Sequence, residues 1–302
     1  MKYDCIIVGG GIAGLQAAIQ LGRYMHQVLV IDSSDGRSTL CRSYHNILGY
    51  PDGVSGQHLR DTGRRQAEAL GIQFLQEKAE SAAKTEAGFE VTVSDGDTYR
   101  SKRLLLATGV MDRIPEDLLP SLMPCLGTSV YVCPDCDGYQ VKGKCTIVIG
   151  SGVTGVEMVK TLSYWTKDLV YINHEGKSIS DEDREFFYEK KILYIETPIE
   201  KVVTDESQLQ GFLLENGEEV SGNYAFTAFG GNEVRSQLAK QLGVELLENK
   251  HIVCDPRTKM TNIQGVWVAG DVAAHSEQVT IAMGEGSQAA IWIHKDIIQG
   301  QD

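Results

Sequence analysis

The chain has 302 residues, of which 42% are hydrophobic and 23% are charged, so it is long enough for one or two ordinary globular domains. Its 41 acidic residues outnumber its 28 basic residues, and the net charge of -13 argues against nucleic acid or an anionic membrane surface as a partner. No apolar run reaches the roughly 18 residues of a membrane span, and the first residues enter a strand without a signal peptide, so we expect a cytoplasmic protein.

The first predicted elements are a strand, a glycine loop, a helix and a second strand. Apolar residues 5–8 lead into the loop 9–14, which reads Gly-Gly-Gly-Ile-Ala-Gly, a helix is predicted over 15–22, and the strand at 28–32 ends in a carboxylate. This is the order of a βαβ dinucleotide-binding unit, whose glycines let the backbone approach a pyrophosphate and whose acid accepts a hydrogen bond from the ribose. The predicted nucleotide-binding residues are Gly9, Gly11, Gly14 and Asp32.

A helix and a β-hairpin follow before the chain crosses into a second region. Residues 58–70 have a helical pattern, and a turn joins two strands at 89–93 and 98–106. The second strand stops at Ala107-Thr108-Gly109. Three prolines, at 115, 120 and 124, then predict a domain crossing.

Residues 133–138 read Cys-Pro-Asp-Cys-Asp-Gly and place two thiols at Cys-x-x-Cys spacing, which none of the other five cysteines has. In a reducing compartment such a pair is more often catalytic or metal-binding than structural. No second pair and no flanking histidine would complete a zinc site, so no metal is expected. Cys133 and Cys136 are therefore predicted to be a redox pair, and Asp137 is a candidate acid–base for the protons that accompany each electron pair.

The strand–loop–helix–strand pattern then repeats at a constant offset along the chain. Gly9 corresponds to Gly150, Gly14 to Gly155, and Asp32 to an asparagine at the end of the strand 169–173. The sequence therefore predicts an α/β protein of two Rossmann-like, three-layer ββα/βαβ nucleotide-binding domains, the second inserted in the first. The predicted bounds are 1–114 with 245–302 for the first domain and 115–244 for the second. The candidate residues of the second site are Gly150, Gly152, Gly155 and Asn173.

The last predicted elements are an apolar strand at 266–269, which ends in Gly270-Asp271, and a helix over 278–298. With them the chain resembles, over nearly its whole length, the low-molecular-weight thioredoxin reductase family of flavoproteins. The motifs that carry the resemblance are the two glycine loops, Ala107-Thr108-Gly109, the Cys-x-x-Cys-Asp-Gly segment, Ala269-Gly270-Asp271 and residues 46–51, Asn-Ile-Leu-Gly-Tyr-Pro.

The resemblance implies FAD in the first domain, a redox disulfide beside its isoalloxazine ring, and a homodimer. It adds flavin contacts at Asn46, Thr108, Gly109, Gly270, Asp271, Gln278 and Val279. A buried acid at a strand end is costly without a partner, so Asp271 is either a ligand of the ribityl chain or a helix N-cap. Cys136 would face the flavin and Cys133 would meet the external thiol partner.

The residues after the second far strand depart from the family pattern. NADPH-dependent members have His-Arg-Arg and a further arginine there to bind the 2′-phosphate, whereas this chain has Asn173-His174-Glu175-Gly176-Lys177. The carboxylate of Glu175 would repel a phosphate. Pro-Asp also replaces the usual Ala-Thr between the cysteines, as in atypical branches that are ferredoxin-linked, carry a second flavin, or oxidise dithiols. A second FAD or NAD(P)H in the inserted domain stays open.

The leading hypothesis is an FAD-dependent disulfide oxidoreductase, similar to thioredoxin reductase. It would move electron pairs between FAD and the Cys133–Cys136 disulfide, and then to or from a thioredoxin-like protein or a small-molecule dithiol, without NADPH as the donor. The alternatives are an NADPH-dependent thioredoxin reductase, a non-catalytic flavin redox sensor, and a flavin oxidoreductase that does not use the thiols.

Overall fold

The chain folds into two compact units in a computed structural model that describes residues 2–300. The first unit consists of the chain up to Thr39, Gly56–Met111 and the chain from Glu233 onward. The second consists of Leu40–Ser55 and Asp112–Asn232. Within residues 2–300, no helix is both long enough and apolar enough to cross a membrane.

The first unit is built on a seven-stranded sheet. In chain order its elements are β1 Lys2–Val8, α1 Ile12–Arg23, β2 Val28–Ile31, a 3-10 turn at Arg37–Thr39, α2 Gly56–Glu68, β3 Gln73–Leu75, β4 Ala79–Thr85, β5 Gly88–Val93, β6 Thr98–Leu106, β7 Val110–Met111, β16 Glu233–Val234, α7 Gln237–Gln241, β17 Val266–Val268 and α8 Val279–Gln299. The sheet order is β3-β2-β1-β6-β5-β4, with β17 paired to the end of β6. Strands β3, β2, β1, β6 and β17 run parallel, and β4 and β5 are antiparallel.

Both faces of this sheet are covered, which explains the unbroken apolar runs of its central strands. Ile6 and Val8 of β1 pack into the cluster on one face, whereas Ile7 packs into the cluster on the other, because side chains alternate along a strand. Helices α1 and α8 lie against each other on the second face. Their contact is close, since a Cβ on Gly286 of α8 would overlap the carbonyl oxygen of Ala13 in α1. This packing fixes α1 directly behind the first glycine loop.

The second unit repeats the parallel core. Its elements are α3 Leu119–Leu122, a 3-10 turn at Met123–Cys125, β8 Val130–Tyr131, α4 Pro134–Asp137, a 3-10 turn at Gly138–Val141, β9 Thr146–Gly150, α5 Gly152–Leu162, β10 Leu169–Asn173, α6 Asp181–Lys190, β11 Leu193–Ile195, β12 Ile199–Asp205, β13 Gln208–Leu214, β14 Glu219–Ser221 and β15 Ala225–Ala228. Five parallel strands are ordered β11-β10-β9-β15-β8. Strands β12, β13 and β14 form a separate antiparallel sheet.

The predicted α/β class is confirmed, and the two βαβ units lie where the sequence places them. The division into units differs from the predicted bounds in three segments, the shortest of which, 112–114, falls in the second unit. Residues 233–244 belong to the first unit, because β16 pairs with β7 and Leu238 and Val244 pack in its core. Leu40–Ser55 belongs to the second unit, where the N–H of Arg42 donates to the carbonyl of Leu126 at 3.1 Å.

Candidate active site

The predicted redox pair is bonded. Cys133 and Cys136 form a disulfide, with 5.3 Å between their Cα atoms, and both residues are half-buried. Pro134 opens the four-residue helix α4, a position that suits proline because the missing N–H would have no helical partner there. The N–H of Cys136 faces both the carbonyl oxygen of Cys133 at 3.3 Å and its sulfur at 3.2 Å. The tight turn therefore holds the two sulfur atoms together.

Asp137 directly follows the disulfide and is only 8% exposed. No hydrogen-bond donor or cation of the described chain pairs with its carboxylate, so burial acts alone on the charge. Burial raises the pKa of Asp137 to about 7. The side chain can therefore take up and release a proton near neutral pH, which is the property required of an acid–base group at this disulfide.

The first glycine loop is shaped by close backbone contacts. Gly9 has a φ of +104°, which favours glycine, and a Cβ there would overlap the carbonyl oxygen of Ala107. A Cβ on Gly14 would overlap the carbonyl oxygen of Gly9. Gly11 has open space at the equivalent position and precedes α1 without a side-chain cap. The loop therefore leaves an opening at the uncapped N-terminus of α1.

Asp32 lies at the carboxyl end of β2, beside this opening. Its Oδ1 accepts the N–H of Gly10 at 3.0 Å, and its Oδ2 accepts Nη2 of Arg60 at 2.7 Å. Arg60 is 7% exposed, and its Nη1 has no hydrogen-bond partner in the described chain. Sequence reasoning missed Arg60. The available signal was an arginine on the face of α2 that otherwise buries Leu59, Gly63 and Ala67.

Asp271 lies just beyond β17, and one of its carboxylate oxygens is unsatisfied. Nη1 of Arg37 is 3.4 Å from Oδ2, whereas Oδ1 is buried with no partner among the described residues, and burial raises the pKa of the group. Gln278 is the N-cap of α8, which begins at Val279, so the alternative prediction that Asp271 caps this helix is wrong. Gln278 makes no side-chain cap, which leaves the first N–H groups of α8 without a capping side chain.

The remaining predicted flavin contacts differ in their surroundings. The hydroxyl of Thr108 donates to the carbonyl of Arg235 at 2.5 Å, and the carbonyl of Gly109 accepts the N–H of Arg235 at 3.1 Å. These bonds tie the end of β6 to the segment after β16. Asn46 is exposed and belongs to the second unit, so the first unit by itself does not bring it together with the other predicted contacts.

The second glycine loop has the same backbone plan but different surroundings. A Cβ on Gly150 would overlap the carbonyl oxygen of Ala228, as one on Gly9 would with Ala107. A Cβ on Gly155 would instead overlap the ring of Tyr171, whose hydroxyl donates to the carbonyl of Gly152 at 2.8 Å. Packing of the tyrosine therefore accounts for glycine at this position without any ligand.

Asn173 does not face the opening of the second loop. It is fully buried, its Oδ1 accepts the N–H of Gly152 at 2.9 Å, and its amide donates to Lys177 O at 2.8 Å and to Tyr194 Oη at 3.0 Å. The amide group is satisfied within the fold. The structure therefore assigns Asn173 to the scaffold of the second loop and leaves it no group with which to bind a ribose.

A cavity of about 760 Å³ opens above the second loop and is lined by Arg113, Ser151, Gly152, Lys177, Phe229 and Gly230. Glu175 pairs with Arg113 and lies 3.0 Å from Nζ of Lys177, so it is an ion-pair partner of both basic side chains of the wall and offsets one of their two positive charges. Burial raises the pKa of Glu175, but hydrogen bonds from Arg113, Ser151 and Lys177 outweigh it and lower the pKa to about 2. Sequence reasoning missed Arg113, which is 62 residues from Glu175.

Within residues 2–300, no group of three or more His, Cys, Asp or Glu side chains is placed to hold a metal ion.

The model of the pyridine nucleotide-disulphide oxidoreductase family matches residues 3–286. The chain belongs to this family. A thioredoxin reductase of Streptomyces clavuligerus is 31% identical over 305 residues, which cover 95% of this chain and 92% of that protein. A thioredoxin reductase of Treponema pallidum is 30% identical, with 95% of each chain covered.

Solved structures superpose closely on the fold of this oxidoreductase. The crystal structure of HlmI superposes with a TM-score of 0.87 at 26% identity, and the match covers 99% of this chain and 94% of that one. The predicted two-domain, Rossmann-type flavoprotein fold is thereby confirmed. The chain is an FAD-dependent disulfide oxidoreductase similar to the thioredoxin reductases.

The residues of the first unit fit an FAD molecule. The opening at Gly11 provides a cradle that a side chain would fill, and Nη1 of Arg60 and Oδ1 of Asp271 are buried polar atoms with no partner in the described chain. Buried polar atoms of this kind are rare unless a ligand or water completes them. Bound FAD would offer phosphate to the N-terminus of α1, ribose hydroxyls to Asp32 and Arg60, and ribityl hydroxyls to Asp271.

Proposed function

We propose that this oxidoreductase passes electron pairs between FAD, held by the first unit, and the Cys133–Cys136 disulfide, and then exchanges them with an external dithiol or disulfide. The observation that carries the proposal is the formed disulfide with Asp137 buried beside it, a carboxyl group whose pKa is about 7. FAD supplies the capacity to store and release two electrons.

The chemistry of the pair requires both sulfurs. In the reduced pair, the Cys133 thiolate attacks a partner disulfide, and the Cys136 thiolate then attacks the Cys133 sulfur, which releases a reduced partner and re-forms the Cys133–Cys136 disulfide. We assign Cys136 to the flavin side and Cys133 to the partner side. Asp137 supplies and removes the proton at these sulfurs, because its carboxyl group is divided between both forms near neutral pH.

The first unit would hold the cofactor through three kinds of contact. Gly9, Gly11 and Gly14 shape the opening for the pyrophosphate, Asp32 and Arg60 would hold the adenosine ribose, and Asp271 would hold the ribityl chain. By the resemblance, Thr108, Gly109, Gly270, Gln278, Val279 and Asn46 would add contacts near the isoalloxazine ring.

The electron donor in this proposal is not NADPH. The two basic side chains in the wall of the second cavity, Arg113 and Lys177, are already paired with Glu175, so a 2′-phosphate would meet a carboxylate as well as cations. A dinucleotide without that phosphate, such as a second FAD or NADH, is the ligand class that suits the cavity. These features support an atypical branch of the thioredoxin reductase-like proteins.

The partner we propose is a thioredoxin-like protein or a small-molecule dithiol, and we expect a cytoplasmic homodimer. The relatives named as thioredoxin reductases support the protein partner. An NADPH-dependent thioredoxin reductase is the second candidate function, favoured by the size of the second cavity.

Anaerobic titration with dithiothreitol tests the proposal. The wild-type protein is expected to lose its flavin absorbance, because electrons enter through the disulfide. Cys133→Ser and Cys136→Ser should each slow this loss on the order of a thousandfold while the FAD content stays unchanged. The matched control is Cys145→Ser, which removes a thiol of the same unit outside the pair. Equal rates in all four proteins would exclude the disulfide from the electron path.

A further inference from the structure

A buried carboxylate in α8 binds three donors from the segment before that helix. Glu285 is 6% exposed, and its Oε1 accepts Nζ of Lys259 at 2.6 Å. Its Oε2 accepts the N–H of Gly270 at 2.9 Å and lies 2.6 Å from Nε2 of His275. We call these four residues the Glu285 cluster. Sequence reasoning did not single out Lys259 or Glu285.

Stability alone is a weak reason for such a cluster. Burying charged groups costs several kcal/mol of desolvation, and well-packed apolar residues in their place are often equally stable. The neighbouring buried residues of α8 are small or apolar, namely Ala282, Gly286, Ala289 and Ala290. A carboxylate on this face therefore calls for a role beyond packing.

The geometry fixes the charge of His275. Its Nε2 faces the carboxylate of Glu285, and its Nδ1 lies 2.6 Å from the carbonyl oxygen of Ser276. Both of these oxygens are acceptors, and a neutral imidazole carries only one N–H. Nε2 is at ion-pair distance from the carboxylate and makes no hydrogen bond to any described residue, and the imidazolium is the form of the ring that this contact favours. The pKa of His275 is raised accordingly, because its contact with Glu285 outweighs burial.

The Glu285 cluster therefore holds two positive charges against one negative charge. The other charged groups close to it are paired separately, since Nη1 of Arg37 is 2.6 Å from Glu277 and 3.4 Å from Asp271. His251 also lies 3.5 Å from Glu277. These neighbours are one cation shared by two carboxylates and offset the excess positive charge of the cluster, so the positive charge that lies three residues before Gln278, the N-cap of α8, is that of the His275 imidazolium itself.

The cluster also fixes both ends of the segment 270–278. Gly270 is held through its N–H immediately before Asp271, and His275 is held through its ring shortly before Gln278 and Val279. Gly270, Asp271, Gln278 and Val279 are flavin contacts of the proposed function, on which this inference rests. A positive charge beside a flavin stabilises its reduced, anionic form more than its neutral oxidised form.

We propose that Glu285 is a positioning residue, which fixes the segment 270–278 against α8 and keeps His275 as an imidazolium whose charge favours the reduced flavin. His275→Gln removes the positive charge directly, and Glu285→Gln removes it indirectly by taking away the carboxylate that stabilises the imidazolium. His294→Gln is the matched control, because it alters a histidine in α8, the helix that carries Glu285, and this histidine bonds to His26 and not to an acid.

Two measurements on the purified protein test the proposal. The ¹⁵N shifts of the His275 ring should show an imidazolium at pH 7.5, about one unit above the ordinary histidine pKa of about 6.5, and Glu285→Gln should make the ring neutral. Titration against a reference dye should show a reduced-to-oxidised flavin ratio about tenfold lower in both cluster variants, about 30 mV for a two-electron couple. The ratio should be unchanged in His294→Gln.

The outcomes separate this inference from the proposed function. A neutral His275 ring in the wild-type protein at pH 7.5 would overturn the charge assignment, whatever the flavin does. An imidazolium with unchanged flavin ratios in both cluster variants would overturn the tuning role. A protein that retains no FAD but shows the imidazolium would contradict the proposed function and leave the charge assignment of His275 standing.

Discussion

The two glycine loops are built on one backbone plan and differ in what surrounds them. In each loop the first glycine lies against a carbonyl of the neighbouring parallel strand, Ala107 for Gly9 and Ala228 for Gly150. The first loop, however, has a carboxylate and an arginine with an unsatisfied Nη1 beside its opening. The second loop has a fully satisfied amide in the place of the carboxylate.

The comparison shows that the glycine spacing reports the scaffold, while the neighbouring side chains decide whether a ligand is needed. Gly14 is required by the backbone of its own loop, whereas Gly155 is required by the ring of Tyr171. Beside the first loop, buried polar groups have no hydrogen-bond partner in the described chain. In the second loop the fold itself supplies the hydrogen-bond partners, and Glu175 forms ion pairs with the basic side chains of the cavity wall.

The largest expected effect comes from adding a methyl group at the last glycine of each loop. Gly14→Ala should destabilise the protein by about 4 kcal/mol or abolish folding, because the overlap is with backbone. Gly155→Ala should cost about 2 kcal/mol, because the Tyr171 ring can shift. Urea unfolding measures both. Gly155→Ala should cost less in a Tyr171→Val background than in the wild type, whereas the cost of Gly14→Ala should be the same in both backgrounds; an equal reduction for both would remove the distinction.

Exchanging the acid and the amide between the loops should give the next largest effect. Asn173→Asp should destabilise the protein by about 3 kcal/mol at pH 8, because it buries a charge without a cation. Burial raises the folded-state pKa of the new acid, so the loss should shrink as the pH falls through that raised pKa and be smallest near the ordinary carboxyl pKa of about 4. Asp32→Asn should also destabilise the protein, by about 3 kcal/mol, because it leaves the buried guanidinium of Arg60 without its carboxylate. Unfolding at pH 8 and pH 4 tests this, and equal losses at both pH values would contradict it.

Arg60 should contribute to FAD binding although it is far from the glycine loop in the sequence. Arg60→Ala is expected to weaken FAD binding about tenfold, about 1.4 kcal/mol, since it removes the donor whose Nη1 awaits a partner. Fluorescence quenching of added FAD by the deflavinated protein measures this affinity. Arg64→Ala, on the same helix but exposed and paired with Glu68, is the control and should bind FAD normally. Equal weakening in both variants would show a general effect on α2.

The smallest expected effect concerns Glu175. Its folded-state pKa of about 2 is below the ordinary 4.5, so its stabilising contribution is present above pH 4.5 and is lost as the pH falls towards 2. Glu175→Gln should therefore cost about 1 kcal/mol at pH 7 and less than half of that near pH 3. It should also bind NADPH more tightly, because Arg113 and Lys177 are released. Unfolding curves from pH 7 to 3 that stay parallel would refute the ion-pair assignment.

The elements that could be predicted from the sequence are those set by neighbouring residues. The βαβ units follow from apolar strands, glycine turns and an acid or amide at a fixed distance, and the redox pair follows from two cysteines in one turn. The structure shows in addition that Asp137, beside the disulfide, is buried, and the sequence motif alone does not reveal this burial. These local patterns were sufficient to place the strands β1, β2, β9 and β10 to within a few residues.

The remaining site residues depend on contacts between distant parts of the chain. Arg60 reaches Asp32 across 28 residues, Arg113 reaches Glu175 across 62, and Lys259 reaches Glu285 across 26. An arginine, lysine or glutamate in a helical or loop pattern reads as a solvated side chain, and only packing reveals that it is buried. The placement of 40–55 and 233–244 follows from the same kind of long-range pairing.

The most direct test is rapid anaerobic mixing of the purified flavoprotein with NADPH while the flavin absorbance is followed. The account holds that the first unit carries the flavin and that the second does not accept a 2′-phosphate, so the absorbance should persist for minutes with NADPH and fall when dithiothreitol is added. Complete loss of flavin absorbance by NADPH within a second would contradict the account and establish an NADPH-dependent reductase.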